Sequence, residues 1–263
     1  MSKPDILKEI IAKKKEKIIL AKQQISEEEL KAKVQGLPAA RPFIEAINKP
    51  RQISLIAEIK KQSPSRGVIV KDFNLQETAK AYQESGVQAI SVLTEEDYFG
   101  GSLGYINEIK ALTTAPILRK DFILEPYQVY ESRFFGADAI LLIAAILTQE
   151  NLSQLLAIAS CLGLESLIEV HNEKELKKVL KLKGVNLVGI NNRDLKTLEV
   201  DLKATERLFP LIPKEKTTVV ESGIKSYQDV LFLKILGVNA VLIGEALMEA
   251  ADLKKKIEEL MGW

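Results

Sequence analysis

ISLIAEIKKQSPSRG, residues Ile53–Gly67, begins as a buried strand and ends in charge. Its first half is apolar and β-branched. Its second half places Glu58, Lys60 and Lys61 at the strand end, ahead of a Ser-Pro-Ser-Arg-Gly loop. Charges at a strand end are ordinary where a strand meets water. They are also what a reaction site at a strand end would look like, and the rest of the chain decides between the two.

From residue 53 onward, short apolar runs alternate with longer amphipathic ones. The apolar runs are Ile53–Lys60, Ala89–Thr94, Pro116–Phe122, Ala139–Ile146, Ser166–Val170, Leu187–Asn192, Thr217–Ser222 and Ala240–Gly244. Helical patterns lie among them at Leu75–Ser85, Pro126–Phe135, Glu150–Leu162, Glu173–Leu182, Ser226–Leu236 and Asp252–Met261. Gly86, Gly136, Gly184 and Gly237 stand where helices should end, each followed by Val or Ala. Runs apolar on both faces and separated by helices indicate parallel strands wrapped in helices. Eight such units predict an α/β fold of the (β/α)8 TIM-barrel type. An open doubly wound sheet fits less well, because no Gly-x-Gly-x-x-Gly follows the first strand.

The first 48 residues fall outside the repeat. Ile6–Lys22 and Ser26–Val34 read as helices, and Ser26 with Glu29 forms a capping-box pattern. The expectation is an N-terminal helical extension, 1–48, packed on a catalytic barrel, 49–263, as one domain. The charged face of its first helix reads as solvated surface.

Composition narrows the functions. Of 263 residues, 46% are hydrophobic, enough for a large core. Lys and Arg number 37 against 36 for Asp and Glu, so no global field favours nucleic acid or an anionic membrane. The single cysteine, Cys161, rules out an internal disulfide and reads as a core residue; with the single histidine, His171, it cannot build a usual zinc site. No metal is expected. The start of the chain lacks a signal-peptide pattern, and the longest apolar run, Ala139–Leu147, is too short to span a bilayer. A cytoplasmic protein is expected.

Barrel enzymes work at the C-terminal ends of their strands. Those ends carry Glu58 and Lys60, Thr94-Glu95-Glu96, Arg119-Lys120-Asp121, Glu169, Asn191-Asn192-Arg193, Glu221-Ser222-Gly223 and Gly244-Glu245. Residues two apart on a strand share a face, so Glu58 and Lys60 point inward if Ile56 does. A structural pair would explain those two alone. It would not explain Lys120, Glu169, Asn191 and Glu221 on four further strands. Glycines after the seventh and eighth expected strands let backbone N–H groups approach a phosphate.

The stretch Glu58–Gly67, with Ser91–Glu96, Tyr98–Gly101, Leu118–Phe122, Leu167–His171, Gly189–Leu195, Glu221–Ile224 and Leu242–Met248, resembles the indole-3-glycerol phosphate synthase family of tryptophan biosynthesis. The resemblance runs in order through the whole barrel. It implies a cofactor-free carboxy-lyase that converts 1-(2-carboxyphenylamino)-1-deoxyribulose 5-phosphate to indole-3-glycerol phosphate, carbon dioxide and water. It implies Lys120 as general acid and Glu169 as general base, with Glu58, Lys60, Asn191 and Glu221 completing the polar site. Ser63, Pro64, Phe99, Phe122 and Arg193 would contact substrate, and Ser222, Gly223, Gly244 and Glu245 would hold phosphate. Glu245 departs from the serine usual in the family's pattern, so its carboxylate should turn away and leave only its N–H for phosphate. Partners would be the small phosphosugar-anthranilate substrate and, transiently, other tryptophan-pathway enzymes. Two alternatives are a phosphoribosylanthranilate isomerase, disfavoured by the lysines of the first and third strands, and a non-catalytic sensor barrel.

Overall fold

The computed structural model describes residues 6–195 and 197–263. Eight parallel strands close into a barrel: β1 Ser54–Ile59, β2 Ala89–Leu93, β3 Ile117–Lys120, β4 Ala139–Ile143, β5 Glu165–Val170, β6 Leu187–Asn191, β7 Thr217–Glu221 and β8 Ala240–Ile243. Each pairs with its neighbour in chain order, and β8 returns to β1 with Ile56 opposite Leu242. The eight expected strands are therefore all present, with their ends trimmed or extended by a few residues.

Helices fill the connections: α4 Leu75–Glu84, α5 Gly104–Leu112, α6 Pro126–Phe134, α7 Gln149–Cys161, α8 Glu173–Val179, α9 Lys203–Leu208, α10 Tyr227–Leu236, the short α11 Glu245–Met248 and α12 Leu253–Met261. Gly237 ends α10 at φ +102°, a left-handed conformation that carries no Cβ penalty for glycine.

Strand parity sorts the core into two clusters. Odd and even neighbours point to opposite faces. Leu55, Ala57 and Ile59 pack outward under the helices, while Ile56 lies inside with Leu118, Leu141, Leu167, Leu187, Val219 and Leu242. Extending each inward row by two residues reaches Glu58, Lys120, Ile143, Glu169, Gly189, Glu221 and Gly244. The barrel interior is thus apolar in its lower layers and ionic at its C-terminal mouth.

The N-terminal segment runs from one end of the barrel to the other. α1 (Ile6–Gln24) lies against the C-terminal mouth, and α2 (Glu27–Lys33) packs on α6. The capping box at α2 is present: Glu29 N–H donates to Ser26 Oγ, and Ser26 N–H donates to Glu29 Oε2 at 2.8 Å. α3 (Phe43–Ile47) closes the opposite end, where the Ile44 N–H meets Glu165 and the Arg41 N–H meets Asp138. Phe43 and Ile47 have no exposed surface.

Two expectations are corrected. α1 is not merely a solvated charged helix: Lys14 is buried and pairs with Asp121 at 2.7 Å. Cys161 is exposed rather than in the core. α7 buries Leu152, Leu155, Leu156 and Ala159, and two further residues rotate Cys161 to the opposite side of the helix.

Candidate active site

A cavity of about 1090 Å³ opens at the C-terminal mouth. Glu58, Lys60, Lys120, Glu169, Asn191 and Glu221 all line it. The central group is Lys120. Its Nζ lies 3.2 Å from Glu169 Oε2 and 3.1 Å from Glu221 Oε2, while Lys60 Nζ pairs with Glu58 Oε1 at 2.9 Å. Glu169 and Glu221 are each 1% exposed.

Burying so many charges is tolerable only because they compensate one another. Burial alone would lower the Lys120 pKa, but Glu169, Glu221 and Glu58 together raise it. Burial would raise Glu169, yet Lys120 and His171 hold it well below the ordinary carboxylate range. Glu221 shares the same lysine and has no second ion pair among the described residues. Burial and the Glu169 charge push it up to about 7. Two neighbouring carboxylates are thus driven apart, one firmly ionised and one titrating near neutrality.

Two glycines make this packing possible. A Cβ on Gly189 would lie 2.7 Å from Glu221 Oε1 and 3.2 Å from Leu167. A Cβ on Gly244 would overlap the Glu58 carboxylate. Gly244 therefore makes room for Glu58, a duty beyond the phosphate contact its loop position suggests.

The apolar wall is formed by Phe99 and Phe122, with ring centroids 6.3 Å apart and planes tilted by 42°. Glu95, another strand-end charge, accepts the backbone N–H groups of Asp97, Tyr98 and Phe99 and so shapes the loop bearing Phe99. Asp121 binds Lys14, Arg119 and Thr94, a buried network beside Lys120.

Ser63 and Pro64 do not line the cavity; their neighbours Ser65 and Arg66 do. The chain turns at Gln62–Ser63 into a small antiparallel ladder with Gly67–Val68, which leaves Ser63 buried. Ser222, Gly223, Gly244, Glu245 and Arg193 all line the cavity. Ser222 and Gly223 take consecutive left-handed conformations, φ +66° and +83°. The Glu245 carboxylate is clasped by two guanidiniums: Arg66 Nε reaches Oε1 at 2.6 Å, and Arg193 Nη2 lies 3.4 Å from Oε2.

These features coincide with a family match. The indole-3-glycerol phosphate synthase family model covers residues 7–260. The chain belongs to the indole-3-glycerol phosphate synthase family. Indole-3-glycerol phosphate synthase of Acetivibrio thermocellus is 48% identical over 97% of this chain and 98% of that protein. The enzyme of the same name from Caldanaerobacter subterraneus subsp. tengcongensis is 48% identical over 98% and 99%. Solved structures share the fold at low identity. A chain of the Pyrococcus furiosus tryptophan synthase complex superposes with a TM-score of 0.60 at 20% identity, covering 80% of this chain and 98% of that one. The 3-hexulose-6-phosphate synthase of Salmonella typhimurium gives 0.64 at 15%, covering 80% and 97%.

Sequence reading of this family member missed four residues: Lys14, Arg66, His171 and Gly189. Arg66 and His171 lie within the family-like stretches, and Gly189 holds an inward strand position. Nothing local marks Lys14, whose partner belongs to a distant strand.

Proposed function

We propose that this chain is an indole-3-glycerol phosphate synthase, closing the indole ring of 1-(2-carboxyphenylamino)-1-deoxyribulose 5-phosphate with loss of carbon dioxide and water. The observation that carries the reading is Lys120, an ammonium held between two buried carboxylates in a cavity with an aromatic wall.

The substrate's aromatic carbon beside the carboxylate attacks the ribulose carbonyl. Lys120 is the general acid that meets the developing oxyanion, a step whose negative charge draws the proton from a lysine otherwise kept charged. Loss of carbon dioxide restores the aromatic ring, so the substrate is its own electron sink. The hydroxyl then leaves as water with a proton supplied by a lysine of the site, and Glu169, ionised by its two cationic neighbours, takes the last ring proton. Glu58, Lys60, Asn191 and Glu221 orient the reacting atoms. Phe99 and Phe122 flank the anthranilate ring, and Arg193 contacts substrate. Phosphate sits on the loops of Ser222-Gly223 and Gly244-Glu245, where backbone N–H groups come close because the turns are tight.

Residues 1–48 act as part of the same catalytic unit as 49–263, a reading supported by the Lys14–Asp121 pair. The protein works in the cytoplasm and meets other tryptophan-pathway enzymes only transiently; no helix among the described residues is long and apolar enough to cross a membrane.

Purified protein given the carboxyphenylamino substrate should develop indole fluorescence and release one carbon dioxide per indole. Turnover of N-(5-phosphoribosyl)anthranilate instead would establish the isomerase, and tight binding without turnover would establish a sensor.

A further inference from the structure

β5 ends at Val170, and His171 is the next residue, two past Glu169. The ring does not line the cavity but lies behind it. Its Nε2 is 3.1 Å from Glu169 Oε1, and its Nδ1 is 3.0 Å from Glu175 Oε2. Neither Glu169 Oε1 nor His171 Nε2 has any other hydrogen-bond partner among the described residues, so each depends on the other's charge for compensation. Glu175 is itself fixed, accepting the His171 backbone N–H at 2.9 Å and Asn172 Nδ2 at 2.7 Å. The line Glu175–His171–Glu169 ends on the oxygen of Glu169 that Lys120 does not take.

We propose that His171 is a positioning residue for the ring-closing reaction: anchored by Glu175, its imidazolium holds Oε1 of Glu169 and keeps that carboxylate oriented and ionised. The inference rests on the reading of Glu169 as the base. Its physical core is an asymmetry. Lys120 serves both Glu169 and Glu221, and one ammonium cannot keep two adjoining buried carboxylates charged. His171 supplies the second cation to Glu169 alone. The groups around Glu169 are Lys120 on β3, Glu221 on β7, Asn191 on β6 and His171. Those around His171 are Glu169 and, from α8, Glu175; Lys178 on α8 donates to the carbonyls of Ala144 and Leu147. Burial would lower the imidazolium pKa, but the two glutamates raise it to about 10, so the ring is charged through the working range.

The test compares pH profiles of kcat/KM for the wild type, His171→Gln, Glu175→Gln and Glu169→Gln, with folding checked by circular dichroism. Losing a cation beside a buried carboxylate raises its pKa, so His171→Gln should move the acidic limb up by about 1–3 pH units. Within the acidic limb its rate should fall at least about tenfold below the wild type at the same pH, the equivalent of one unit, and recover on the alkaline side of the limb. Glu175→Gln leaves the ring in place and should shift the limb the same way by less; it carries the test if His171→Gln does not fold. A profile lowered uniformly with an unmoved limb overturns the role of His171. Near-normal turnover in Glu169→Gln overturns the base assignment beneath it instead.

Discussion

Lys14 on α1 reaches Asp121 at 2.7 Å, one residue past Lys120. Asp121 also holds Arg119, which is fully buried among Glu131, Ser132 and the Gln128 carbonyl. The first helix thus grips the strand end that presents the proposed acid. Lys14→Met should leave a buried carboxylate with one cation fewer. The expected cost is about 1–3 kcal/mol, because Arg119 and Thr94 remain. Turnover should fall with it. Chemical denaturation alongside steady-state kinetics checks both, and unchanged values would make the pair incidental.

Lys120 and Glu169 divide the proposed proton transfers. Lys120→Met should lower turnover by at least about a hundredfold while substrate binding survives better. Glu169→Gln keeps the shape but not the basicity, and a loss of roughly two to four orders of magnitude is expected. If Glu169 acts late, carbon dioxide release should suffer less than indole formation. Single-turnover measurement of both products decides this, and equal losses would move Glu169 to an earlier step.

Glu245 occupies Arg66 and Arg193 beside the proposed phosphate loops. A phosphate arriving there meets a carboxylate as well as two guanidiniums. Glu245→Gln removes the repulsion and frees both arginines, so KM should fall about three- to tenfold with kcat little changed. An increase in KM would show instead that the carboxylate organises the arginines for the substrate.

Glu221 carries a pH signature. Its folded pKa, about 7, lies above the ordinary 4.5. A raised folded pKa contributes stability fully present below the unfolded value and lost as pH rises through the folded one. The wild type should therefore lose this contribution between about pH 4.5 and 7. Glu221→Gln, which cannot ionise, should show a smaller fall in Tm from pH 5.5 to 8, together with reduced turnover. Parallel thermal melts at the two pH values measure the difference; equal falls in both proteins would place the Glu221 pKa outside this window.

Period-two alternation is a local property, so the sequence alone determined which side chains of each strand face inward. Glu58 follows Ile56, Lys120 follows Leu118, and Glu221 follows Val219, each two residues further on, and Lys60 comes two after Glu58. The alternation of strands with helices ended by glycine likewise determined the barrel, because each signal spans only a few residues. Proximity across the mouth was decided by tertiary structure. Sharing of Lys120 between Glu169 and Glu221 depends on the stagger of three separate strands in the closed sheet. Burial of Lys14 depends on where α1 returns to the mouth, and the clasp on Glu245 depends on two loops meeting over a third. His171 reads in the chain as one polar residue after a strand; only the turn into α8, which brings Glu175 against its ring, makes it the second cation of Glu169. Charges pair through space, and the strength of a pair is set by distance and burial that no local pattern encodes.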